Sequence, residues 1–95
     1  MKEYTRITTK RFRKDIKVLT KAGNDLSTLQ DVIDILATGG VLSEKYRDHP
    51  LHGKLQGTRE CHIGPDWLLR YAKDKDALIL LLISTGDHRH VLGME

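Results

Sequence analysis

Arg59-Glu60-Cys61-His62-Ile63-Gly64-Pro65-Asp66-Trp67-Leu68-Leu69-Arg70-Tyr71 alternates up to Ile63, breaks at Gly64-Pro65 and restarts as an apolar run at Trp67. Alternation of period two marks a strand, and Gly-Pro interrupts one, so the stretch predicts two strands around a corner. Side chains alternate across a strand. Thr58, Glu60 and His62 therefore share one face, and Arg59, Cys61 and Ile63 the other. Cys61 and Ile63 are the apolar set and belong against a core, which turns Glu60 and His62 outward. Asp66 lies just past the corner and can return towards the same side. One bend thus holds three groups able to move protons.

Working outward, residues 54 to 63 make the first of these strands, with Gly57 as a bend or bulge, and 67 to 73 the second. Residues 77 to 84, Ala-Leu-Ile-Leu-Leu-Leu-Ile-Ser, are apolar almost throughout. Such a run suits a central strand covered on both faces, although periodicity alone does not separate it from a buried helix. Lys73-Asp74-Lys75-Asp76 is a polar turn that closes a hairpin, and Thr85-Gly86-Asp87-His88 leaves the sheet. Upstream, residues 3 to 8 alternate as a short strand, and Thr9 is placed to cap a helix over Lys10 to Ala22. Phe12, Ile16 and Leu19 form its apolar stripe, and Gly23-Asn24 ends it. A second helix opens at Asp25 or Ser27, carries Leu26, Leu29, Ile33 and Leu36 on one face, and stops at Gly39-Gly40. The two helices are expected to be antiparallel and packed by their stripes. Residues 41 to 53 have no sustained period and read as a connecting loop that carries His49 and His52, with room for one helical turn at Ser43 to Tyr46. The order β-α-α-β-β-β predicts an α+β fold: two N-terminal helices on one face of a mainly antiparallel, four-stranded sheet.

A chain of 95 residues predicts one domain over residues 1 to 95. It has no twenty-residue apolar run, and its opening lacks the apolar middle of a secretory signal, so a cytosolic protein without a membrane partner is expected. The single cysteine, Cys61, excludes an internal disulfide and a CxxC pair. The net charge is only +3, but eight of the 16 basic groups fall within residues 2 to 21, among them Lys2, Lys10, Arg11 and Lys14. A basic face of this kind attracts phosphate backbones or an acidic partner. A solvated helix face is the plain alternative.

His49 precedes the Glu60 strand and His88 follows the last one, so His49, Glu60, His62, Asp66 and His88 ring the open face of the sheet. RNA cleavage needs few parts. A base takes the proton of a ribose 2′-hydroxyl, an acid protonates the leaving 5′-oxygen, and cations stabilise the phosphate. Histidine serves both proton roles with an unperturbed pKa of ~6.5. The ribose supplies the nucleophile, so no metal and no other cofactor is called for. Against this, a lone histidine is more often an ordinary surface residue. Trp67 and Tyr71 most often pack in a core, and only Trp67, beside Asp66, is placed to stack on a base. Cys61 reads as a small buried residue. His49-x-x-His52 and His88-x-His90 are possible ligand pairs, but neither has typical helical zinc spacing. No GxGxxG, P-loop or GxSxG pattern is present.

Asp48-His49-Pro50-Leu51 with Gly53-Lys54-Leu55, then Arg59 to Leu69, then Thr85-Gly86-Asp87-His88 together resemble the YafQ branch of the RelE/ParE toxin superfamily. Its pattern runs DHxLxGxWxGxRxxHIxPDWLLIY and ends RTGxHxxLF. The resemblance covers nearly the whole chain. It implies the toxin of a type II toxin–antitoxin pair: a ribosome-dependent endoribonuclease that cuts mRNA in the A site without a metal. It also implies a DinJ/RelB-like antitoxin that blocks the toxin and carries the pair to operator DNA. On the matching positions, His49, His62 and His88 would be catalytic with Asp66 as acidic partner, and Glu60 would assist. Asp66 or His62 would take the 2′ proton and His88 protonate the leaving oxygen. Lys10, Arg11 and Lys14 of the basic helix, with Lys54, Arg59, Trp67 and Arg89, would meet RNA. Two departures stand out. The family's arginine before Thr-Gly is Ser84 here, with Arg59, Arg70 and Arg89 the candidates to stand in for it. The family's C-terminal Phe is replaced within Val91-Leu92-Gly93. Those departures keep a second reading open, a catalytically weakened module on the RelE fold that binds its antitoxin and acts in operon repression. A third, a gyrase-poisoning relative on the same fold, has no need of a histidine cluster.

Overall fold

The computed structural model describes residues 3–93; Lys2 of the basic group and the end of the tail lie outside the described residues. The elements run β1 (Thr5–Thr8), α1 (Lys10–Lys21), α2 (Ser27–Ala37), β2 (His49–Pro50), β3 (Arg59–Gly64), β4 (Trp67–Asp74), β5 (Ile79–Gly86) and α3 (His88–Leu92). Thr9 is the cap of α1: its Oγ1 accepts from Phe12 N at 3.0 Å and donates to the Ile83 carbonyl at 2.5 Å. One hydroxyl thus starts the helix and ties it to β5. Gly23 ends the α1 turn at a φ of +81°, where a Cβ would be strained. The second helix begins at Ser27, whose amide is held by Asp25 Oδ1 at 2.9 Å.

The class is α+β, but the sheet has five strands rather than the four expected, in the order β1-β5-β4-β3-β2. β1 pairs parallel with β5 and the remaining pairs are antiparallel. The additional strand is the pair His49–Pro50, in the segment expected to be a loop. It adds to the edge of β3 with His49 opposite Glu60 and Pro50 opposite Arg59. Proline is tolerated there because the outer edge of an edge strand needs no donor. The strand expected from residue 54 begins only at Arg59. Gly53–Leu55 instead forms a 3-10 turn, and Gly57, at φ +93°, turns the chain into β3. The hairpin turn also falls later than expected, at residues 75 to 78, where Asp74 Oδ1 accepts from the amides of Asp76 and Ala77.

Both helix stripes meet one face of the sheet rather than only each other. Phe12, Leu29, Val32, Ile33 and Leu36 pack with Cys61, Leu69, Tyr71, Leu80 and Leu82 in one buried cluster. A fully buried Leu of this kind contributes about 1.5–3 kcal/mol. Leu68 and Val91 are buried outside that cluster, where α3 folds back against β4 and β5. The rest of the second sheet face stays open, and it carries the polar groups.

Candidate active site

Cross-strand register brings the polar residues into rows. Glu60 of β3 lies between His49 of β2 and Arg70 of β4, and Arg70 in turn lies opposite Ser84 of β5. In the next row, His62 lies opposite Leu68. These residues share the open face because their neighbours Cys61, Leu69 and Tyr71 are in the core. The corner at Gly64-Pro65 returns Asp66 to the same end of the sheet, and α3 brings His88 over it.

His49 Nε2 lies 2.8 Å from Glu60 Oε1, and its Nδ1 lies 2.6 Å from the Arg47 carbonyl oxygen. Both partners are acceptors. Glu60 is buried, and its second oxygen, Oε2, has no partner among the described residues. Asp66 Oδ1 accepts twice from His88, from the backbone amide at 3.1 Å and from Nδ1 at 2.5 Å. These two bonds hold the Asp66 carboxyl below the usual carboxylate range. They also assign the Nδ1 proton of His88 and leave Nε2 free. His62 stands between: its ring centroid is 6.4 Å from that of His49 and 5.6 Å from that of His88. Burial pushes the His62 pKa down. Glu60 opposes that shift, while His88, Arg47 and His49 add to it. Its ring is therefore neutral at pH 7 and able to accept a proton.

A cleft of about 760 Å³ opens beside His62, between α2, the Glu44–Tyr46 turn and the Gly64-Pro65 corner, and is lined by Thr28, Asp31, Tyr46 and Arg47 among others. Its volume is in the range of ligand sites. Three imidazoles and two carboxylates, Asp66 exposed and Glu60 buried, stand beside a cleft and can move protons in both directions.

Not every residue named from the sequence falls here. Arg59 is on the helix side of the sheet, where its Nε donates to Asp48 at 3.3 Å beside the Tyr71 hydroxyl. Trp67 turns the same way, packing against the core and donating from Nε1 to Thr85 Oγ1 at 2.9 Å. Strand parity explains both: they alternate with Glu60 and Leu68, which point to the open face. Lys10, Lys14 and Lys54 are exposed, and Arg89 is exposed on α3. Arg11 reaches the backbone carbonyl of His90. His52 is exposed at the start of the Gly53–Leu55 turn. Cys61 is fully buried and its thiol is pushed up to about 12, mainly by burial, which makes it a poor nucleophile. Among the described residues, no group of three or more His, Cys, Asp and Glu is arranged to hold a metal ion, and no helix is long and apolar enough to cross a membrane.

Sequence reasoning missed a third histidine–carboxylate pair. Asp15 of α1, buried, takes His90 Nε2 at 2.6 Å on Oδ1 and the Thr85 amide at 3.1 Å on Oδ2. An acidic residue on the stripe side of a basic helix was the available signal.

Comparison with known proteins places this small α+β domain, with its acid–base cluster on the open sheet face, among bacterial toxins. Residues 4–93 match the model of YafQ, a bacterial toxin of type II toxin–antitoxin systems, and the chain belongs to that family. It is 36% identical over 83 residues to the mRNA interferase toxin YafQ of Escherichia coli K12, covering 86% of this chain and 88% of the relative. A metal-bound toxin from Helicobacter pylori superposes with a TM-score of 0.85 at 45% identity, covering 93% of this chain and 98% of that one. YafQ in the E. coli DinJ–YafQ toxin–antitoxin complex superposes with a TM-score of 0.86 at 29% identity, covering 97% and 100%.

Proposed function

We propose that this single toxin domain, spanning residues 1 to 95, is an endoribonuclease that cuts ribosome-bound mRNA by acid–base catalysis and so stops translation. The observation that carries the reading is the grouping of His62, His88 and His49 on one open face, with His62 kept neutral by burial and His88 oriented by Asp66.

In this reading His62 takes the proton from the ribose 2′-hydroxyl. The 2′-oxygen then attacks phosphorus, the bond to the 5′-oxygen breaks, and His88 Nε2 delivers a proton to that oxygen. Asp66 already accepts two hydrogen bonds from His88, so it serves as orienter and the base role passes to His62. The His49–Glu60 pair borders the same face. Lys10, Lys14, Lys54 and Arg89, all exposed, meet the nucleic acid. The cleft beside His62 takes a nucleotide flanking the cut. The reaction proceeds without a metal.

A DinJ/RelB-like antitoxin neutralises the toxin and links it to operator DNA, by analogy with the DinJ–YafQ complex. The ribosome and mRNA are the targets, which places the protein in the cytoplasm. The second reading, a module that binds its antitoxin without cutting, draws on Ser84, whose buried hydroxyl is no substitute for a cation.

The test is induced expression with mapping of mRNA 5′ ends. The nuclease reading expects new ends at in-frame codons that vanish in His62→Ala and His88→Ala. Growth arrest and cleavage both absent in the parent chain would favour the second reading.

A further inference from the structure

We propose that Arg70 is a catalytic residue of this site, binding the scissile phosphate and stabilising the charge that builds on it during cleavage. The proposal rests on the ribonuclease reading above.

Arg70 sits mid-strand in β4, directly between Glu60 and Ser84, in the row that begins with His49. It therefore rises from the open face on which the histidines stand. The His62 row is two residues along the strand, about 7 Å away on the opposite side from Thr58, and the long side chain reaches it by releasing Thr58. Among the described residues its side chain makes one hydrogen bond, from Nε to Thr58 Oγ1 at 3.1 Å, and no ion pair. Both terminal NH2 groups are left without protein acceptors, although a guanidinium carries five N–H donors.

Two other arginines, Arg6 and Arg59, meet a carboxylate. Arg6 pairs with Asp34, Arg13 bonds Thr8, and Arg59 bonds Asp48. Arg70 is half-buried yet uncompensated. Burial and the nearby positive charge of Arg11 both weigh on its charged form, and no carboxylate offsets them. Glu60 gives Oε1 to His49, while Glu60 Oε2 and Ser84 Oγ, on either side of Arg70, are buried and unpartnered. Partly desolvated charge and spare hydrogen-bonding groups are costly where they have no ligand. A phosphate relieves the guanidinium, whose planar fork matches it in two bonds.

The experiment compares single-turnover cleavage of mRNA on programmed ribosomes with binding of the same complex carrying a 2′-deoxy nucleotide at the cut site. Arg70→Ala and Arg70→Gln are expected to lose about 10²–10³ in rate. Binding of the uncleavable complex should stay close to that of the parent. Arg70→Lys should recover part of the rate. Because position 84 faces the same way in register, Arg70→Ala combined with Ser84→Arg should recover more than tenfold over Arg70→Ala alone. Arg70→Ala and Arg70→Gln at the parent rate, with His62→Ala inactive, would overturn the proposal and leave the ribonuclease reading intact. Rate losses mirrored by equal losses in binding would likewise overturn the catalytic role. A parent chain that cuts nothing would remove the reading and the proposal together.

Discussion

In the proposed mechanism, His62 is the residue on which the proton chemistry turns. Burial lowers its pKa below the usual histidine value of 6.5, so its neutral form prevails at pH 7. A base acts when unprotonated. The rising limb of the parent chain's rate–pH profile should therefore have its midpoint below 6.5, with His88, the acid, setting the limb that falls. Glu60→Gln removes the one carboxylate that holds the His62 pKa up, so its midpoint should move lower still. A pH series of single-turnover rates checks both, and a midpoint in Glu60→Gln above that of the parent would contradict the assignment. That His62 and Glu60 face outward was legible in the alternation of Arg59 to Ile63. That His62 is neutral was not, because burial and the nearby charges of Arg47, His49 and His88 come from segments distant in sequence.

At the scale of elements, α3 is the least self-sufficient. It has five residues, far fewer than an isolated helix needs to persist in water. Its hold is tertiary: Asp66 takes His88, Asp15 takes His90, and Val91 is buried. Replacing Asp15 with Ala leaves the buried Thr85 amide without its acceptor, a cost of about 1–3 kcal/mol. We expect Asp15→Ala to lower the melting temperature by several degrees and to reduce cleavage as well, because His88 rides on α3. Arg89→Ala, on an exposed position of the same helix, should melt with the parent chain. Calorimetry of the two variants side by side decides the point. In the sequence the chain simply leaves the sheet after Thr85, because short helices carry almost no periodic signal. β2 is equally silent there, since two residues hold no alternation and His49-Pro50 pairs only because β3 offers an edge.

Across the whole molecule, the basic groups of α1 are exposed while its apolar stripe is spent on the core. Charge held on one face should govern association with the ribosome more than turnover on it. Lys10→Ala with Lys14→Ala is expected to weaken binding to ribosomes and to flatten its dependence on salt. The expected change in log–log slope is about 0.7–0.9 for each phosphate no longer neutralised. Neither residue bonds to the core, so melting should not change. Binding measured over a range of salt tests this; an unchanged slope would assign the basic face to another partner.

The α+β class, both long helices with their stripes and the Thr9 cap follow from the amino-acid order alone, as do the apolar faces of β3 and β4. All of these depend on spacing within one segment, where the periods 3.6 and 2 act directly. Only the folded chain decides the fifth strand and the docking of α3. It also sets Arg70 between Glu60 and Ser84, in a row that runs from His49 to Ser84 and so joins strands far apart in the chain. Register between strands is set by the packing of the whole sheet, and a single strand does not carry it.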